Sequence, residues 1–117
     1  ACLLEENPVQ QDYISQAIHC MKLEYADGIP VSEIAKRLNL SRSYFSVLFK
    51  ERTGQAPQDY LTTLRMEKAI ELMTQYGMSP SIAAVSTGYS DIYNFSRMFK
   101  RYTGQSPRTY IQKNSRQ

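Results

Sequence analysis

Between residues 9 and 25, apolar side chains return every three or four positions, at Val9, Ile14, Ala17, Ile18, Met21 and Tyr25. That spacing predicts an amphipathic helix. Asn7-Pro8 supplies its cap and first-turn proline, and Gly28 its stop. Val31, Ile34, Ala35 and Leu38 form a shorter stripe and predict a helix over 31–38. Ser41 is placed to cap a third helix, which Thr53-Gly54 ends. Pro57 opens a long fourth helix with Tyr60, Leu61, Leu64, Ala69, Leu72 and Met73 on its apolar side, and Gly77 stops it. The pattern then returns. Ser79-Pro80 starts a short helix, Gly88-Tyr89-Ser90 makes a turn, and a helix over 91–102 is closed by Gly104. Pro107 begins a last helix carrying Tyr110 and Ile111. No segment alternates as a strand does, so the expected fold is all-α with about seven helices.

The recurrence is literal in places. Residues 45–57 read FSVLFKERTGQAP and residues 95–107 read FSRMFKRYTGQSP, identical at eight of thirteen positions. Helix, short turn and helix together form a helix-turn-helix. Two such subdomains are expected, over 8–55 and 77–112, joined by a long connecting helix over 56–76 and flanked by tails at 1–7 and 113–117. The short helices and turns align at an offset of 49, pairing Ala35 with Ala84, Leu40 with Tyr89 and Ser41 with Ser90. The later stretch aligns at 50, so one extra residue is expected between Ser90 and Phe95, at the start of the second long-motif helix.

Phe45, Leu48, Phe49 and the stem of Arg52 fall on one face, as do Phe95, Met98, Phe99 and Tyr102, and these faces are the expected core. The opposite faces carry Arg42, Ser43, Ser46, Val47 and Lys50 in one copy, and Ile92, Tyr93, Ser96, Arg97 and Lys100 in the other. Val47, Ile92 and Tyr93 point away from the core stripe. Scattered surface apolar residues are ordinary, and Tyr93 has a local packing alternative. The functional alternative is a helix in a DNA major groove. There arginine pairs with guanine O6 and N7, serine donates or accepts, and apolar groups meet a thymine methyl. Lys50 and Lys100 lie a turn further on, as phosphate contacts or as solvated charges.

Charge sharpens this picture without deciding it. The net charge of +3 is unevenly spread: residues 1–30 hold one Lys against five acids, 31–76 hold seven basic against five acidic residues, and 77–117 hold six basic residues against Asp91. Phosphate binding needs such cations on a shared face, although an uneven solvated surface has the same composition. The helix from Pro57 to Gln75 would span about 28 Å, and successive major-groove faces lie ~34 Å apart. A strut of that length, with the bodies it joins, would hold two reading helices near one helical turn apart, on a direct repeat rather than a palindrome.

With 117 residues and 42% hydrophobic positions, the chain is long enough for one ordinary domain or two small ones sharing a core. No apolar run reaches the ~18–20 residues of a membrane span, and no signal segment opens the chain. Cys2 and Cys20 suit a reduced cytoplasmic protein better than a disulfide pair. The lone His19 has no ligand or triad partner at recognisable spacing, and glycine-rich phosphate loops and metal-ligand pairs are absent. No enzyme activity, cofactor or metal is expected. A helical-repeat binding module is disfavoured, because such arrays need three or more stacked units and this chain offers two.

The segments IAKRLNLSRSYFSVLFKERTGQAP, RMEKAIELM and GYSDIYNFSRMFKRYTGQSPRTY resemble the DNA-binding domain of AraC/XylS-family bacterial transcription regulators, over about residues 8–112. The resemblance implies base reading by Arg42, Ser43, Ser46 and Val47 in the first copy. In the second it implies Ile92, Tyr93, Asn94, Ser96 and Arg97. Ser41, Lys50, Ser90 and Lys100 are the expected phosphate contacts. It further implies a promoter-binding activator, often sugar-responsive, with RNA polymerase as a partner and an effector bound by a separate N-terminal domain absent here. ACLLEEN at 1–7 would then be the end of a linker, and the isolated domain is expected to be monomeric. One segment departs from the family pattern. SIAAVSTG places small or polar Ala83 and Thr87 where larger apolar residues are usual, and Ile82 and Val85 where polar ones are common. Either that helix is rotated or shifted, or Ile82 and Val85 are partly exposed.

Overall fold

The computed structural model describes residues 8–114, with side chains from residue 12 onward. Among the described residues there are seven α-helices and no strand: α1 (Pro8–Glu24), α2 (Val31–Arg37), α3 (Arg42–Thr53), α4 (Pro57–Thr74), α5 (Pro80–Ser86), α6 (Ile92–Thr103) and α7 (Pro107–Asn114). The expected all-α, two-subdomain architecture is the observed one. The expected Asn7 cap lies outside the described residues, as do Cys2 and the tail at 1–7. Cys20 is a free thiol. No described helix is long and apolar enough to cross a membrane.

The chain forms two compact units. Among the described residues, one takes 8–24 and 29–61 and the other takes 25–28 and 62–114. In the first unit the α1 stripe buries Ile14, Ala17 and Met21, α2 buries Val31, Ile34 and Ala35, and α3 buries Phe45, Leu48 and Phe49. Leu61 from the start of α4 is fully buried with them. Arg37 ties α2 to α1 through Glu24 at 2.6 Å, and its Nε also reaches Glu33 at 3.3 Å. The arginine holds the Glu24 carboxyl below its usual range, chiefly by the hydrogen bond it donates. Both groups are solvated, so the pair contributes little stability.

The second unit packs Met66, Ala69 and Met73 of α4 against Ala83, Ala84, Tyr89, Phe95 and Phe99, with Met98, Tyr110 and Ile111 at the margin. Met66 was absent from the apolar stripe expected for α4, yet it is fully buried. Tyr102 departs the other way. Expected in the core face of α6, it is 42% exposed, leaving Phe95 and Phe99 as that helix's buried residues. The anomaly in α5 resolves as exposure: Ile82 is 55% and Val85 68% exposed. Buried Thr87 is satisfied by its own helix, its hydroxyl donating to Ala83 O at 2.8 Å and Ala84 O at 3.2 Å.

The repeated phrase Thr-Gly-Gln-x-Pro is a helix stop and restart built twice. Thr53 Oγ1 donates to Phe49 O at 2.9 Å and accepts from Gln55 N at 3.2 Å. Thr103 Oγ1 meets Phe99 O at 3.0 Å and Gln105 N at 3.1 Å. Gly54 and Gly104 adopt left-handed φ of 85° and 87° and donate to the carbonyls of Lys50 and Lys100. Pro57 and Pro107 then start the next helix. An aromatic contact closes each unit: Phe49 on Tyr60 and Phe99 on Tyr110, both edge-on with centroids 5.4 Å apart.

Candidate nucleic-acid interface

Two capped helices carry the candidate residues. Ser41 caps α3, its hydroxyl accepting from Tyr44 N at 3.1 Å. A cap of this kind is worth about 1 kcal/mol. The corresponding cap of α6 is Asp91, whose Oδ1 accepts from Tyr93 N at 3.0 Å. The carboxylate also suits the positive end of the helix dipole. The sequence alignment paired Ser41 with Ser90, but the residue sharing its capping role is Asp91. The extra residue is therefore Ser90, accommodated in the turn before the helix rather than inside it. As a result α3 and α6 are both 12 residues long and correspond without a gap at an offset of 50.

This register sets Arg42 against Ile92, Ser43 against Tyr93, Tyr44 against Asn94, Ser46 against Ser96, Val47 against Arg97 and Lys50 against Lys100. In α3, Arg42, Ser43, Val47 and Lys50 are exposed and Ser46 is half-buried. In α6, Ile92, Tyr93, Asn94, Arg97 and Lys100 are exposed and Ser96 is half-buried. Tyr93, at 83% exposed, does not pack locally, and Val47 stands 60% clear. Ser41 and Ser90 are exposed at the starts of their helices. Tyr44 was missed. Counting back fifty residues from Asn94 reaches it, and it is 45% exposed.

In front of α6 lies an open concavity of about 840 Å³. Ser90, Tyr93, Asn94, Ser96, Arg97 and Lys100 line it, joined by Asp91 and by Ser106 at the start of α7. Six candidate side chains thus converge on one hollow. Arg97 Nη2 donates to Asn94 Oδ1 at 3.3 Å, which orients the asparagine amide. Ser106 Oγ accepts from Thr109 N at 3.2 Å, capping α7 at the edge of the hollow. Sequence reasoning missed both Asp91 and Ser106; Asp91 was expected as the first residue of the 91–102 helix, and an aspartate at a predicted helix start is itself a capping signal. The arrangement offers donors, acceptors and exposed apolar groups on one face, the chemistry that base edges and phosphates accept, with the Lys100 ammonium one turn further along.

A helix-turn-helix domain model matches residues 34–113. The raffinose operon transcriptional regulatory protein RafR of Pediococcus pentosaceus is 38% identical over 94 residues, covering 80% of this chain and 34% of that protein. The C-terminal domain of the response regulator yesN from Fusobacterium nucleatum superposes with a TM-score of 0.81 at 30% identity, covering 85% of this chain and 97% of that one. The DNA-binding domain of AdpA, solved in complex with a target DNA, superposes with a TM-score of 0.79 at 25% identity, covering 86% and 90%. The fold and the matched model define a helix-turn-helix DNA-binding domain. The chain belongs to the AraC-type helix-turn-helix family. It spans about a third of the length of the curated relatives it matches.

Proposed function

We propose that the protein reads double-stranded promoter DNA with α3 and α6 in successive major grooves, so that one polypeptide presents two reading helices. The observation that carries this reading is the gap-free correspondence of two capped helices whose outward faces share a serine and a lysine and differ elsewhere. Arg42, Ser43, Ser46 and Val47 take one half-site; Ile92, Tyr93, Asn94, Ser96 and Arg97 take the other. Lys50 and Lys100, with Ser41 and Ser90 at the helix starts, hold phosphates. The 18 residues of α4, about 27 Å long, suit grooves ~34 Å apart. The AdpA complex supports duplex DNA as the ligand.

The full regulator is proposed to be a cytoplasmic activator that works by binding rather than catalysis, with RNA polymerase as a partner. Its effector, of the sugar class in keeping with the raffinose operon relative, would bind a domain outside this chain. The isolated domain is proposed to be a monomer. Salt dependence tests the central reading. Binding to duplexes selected from a random pool should weaken steeply and log-linearly as salt rises, because phosphate contacts release counterions. Lys100→Ala should weaken all duplexes alike and reduce the slope by about one. A salt-independent association would point to an apolar protein interface instead, and an unchanged slope would remove Lys100 from the phosphate contacts.

A further inference from the structure

The turn before α6 is gripped in a way that the turn before α3 is not. Residues 25–28, a single 3-10 turn (Tyr25–Asp27) followed by Gly28, pack with the second unit although their chain neighbours belong to the first. Arg65 of α4 is only 8% exposed, and its Nε donates to Tyr25 O at 3.2 Å. Its guanidinium carbon lies 5.7 Å from the centroid of the Tyr89 ring, which meets Phe95 of α6 edge-on at 5.5 Å. Against the same carbonyl sits Gly88, at φ 97°, where a Cβ would fall 2.3 Å from Tyr25 O and 3.0 Å from Gly28 N. In the first copy the positions of Gly88 and Tyr89 hold Asn39, at φ 59°, and half-buried Leu40.

These contacts over-determine the turn. A buried guanidinium is costly unless its partners hold one geometry. Burial pushes the Arg65 pKa down, and its contact with Tyr89 offsets part of that loss. The glycine lets the backbone approach closely there, since no side chain fits between Gly88 and the Tyr25 carbonyl. From Gly88 only three residues, Tyr89, Ser90 and Asp91, precede the first residue of α6. The α5 helix adds buried Ala83 and Ala84 to the core that Phe95 and Phe99 of α6 enter.

We propose that Arg65 is a positioning residue for DNA reading: with the Tyr25 carbonyl and Gly88 it locks the turn that aims α6, and so sets recognition of the second half-site without touching DNA. The proposal rests on the reading of α6 as a DNA-contacting helix. Its test uses a duplex selected from a random pool by the wild-type chain, plus two derivatives with one or the other half-site scrambled. Arg65→Met should lose discrimination at the α6 half-site by about tenfold and keep discrimination at the α3 half-site. Amide NMR shifts should move from Tyr89 through Lys100. Equal losses at both half-sites, or full retention at the α6 half-site, would overturn the proposal. If Arg65→Met fails to fold, Tyr89→Leu decides, since leucine stands at that place in the first copy. The same selective loss supports the lock, and an unaffected variant overturns it. Failure of the wild-type chain to discriminate among any duplexes would sink the DNA reading itself, and this inference with it.

Discussion

Replacing Arg97 with alanine is expected to weaken binding at a preferred site by about 1–3 kcal/mol and to relax preference at one base pair. Arg97 stands on the outward face of α6, within the hollow shared by Tyr93, Asn94 and Lys100. Its Nη2 is engaged by Asn94 Oδ1. The remaining N–H groups still form the fork that matches guanine O6 and N7. Because the pair is linked, the asparagine amide should also lose its orientation, and part of the effect should come from Asn94. Competition binding against duplexes varied at each position measures both. Equal losses on every sequence would reassign Arg97 to phosphate. Val47, at the matching place in α3, has no such fork and is suited to a thymine methyl.

Phe99→Ala is expected to cost about 3–5 kcal/mol of stability, the range for emptying a buried phenylalanine site. Phe99 is fully buried, and its ring packs against Phe95 at 5.7 Å and Tyr110 at 5.4 Å. The Tyr110 contact joins α6 to α7, while the Phe95 contact lies within α6. Domain stabilities are commonly about 5–15 kcal/mol, so the loss is a large fraction of what holds a small unit folded. Chemical denaturation read by circular dichroism measures it. A loss below about 1 kcal/mol would show that α6 is held by something other than this aromatic ladder.

Much of the fold was legible because the relevant signals are local. Ser41, Gly54, Pro57 and their second-copy counterparts mark helix ends by capping and backbone conformation, which depend on few neighbours. The core phenylalanines were legible from spacing and from being written twice. What escaped depends on long-range contact. Arg65 reads as a surface cation, yet it is buried against the carbonyl of Tyr25 and the ring of Tyr89. Met66 beside it was legible, three residues before Ala69 and seven before Met73, but was left out of the expected stripe. Tyr102 lies on the expected core face at the C-terminal end of α6 and emerges from it. In the candidate site, most outward residues followed from helical periodicity. Asp91 did not, because it was expected as the first residue of its helix and is the cap; Tyr44 was left out although Asn94, fifty residues on, was included.

Two unlike reading faces on one chain are proposed to take two unlike half-sites. Selection of duplexes from a random pool, followed by footprinting on the enriched sequence, measures this directly. The expected result is two different short blocks, centred about 10–10.5 base pairs apart, with two protected major-groove segments on one side of the duplex. A single short block with one protected segment, or two blocks related as a palindrome, would contradict it.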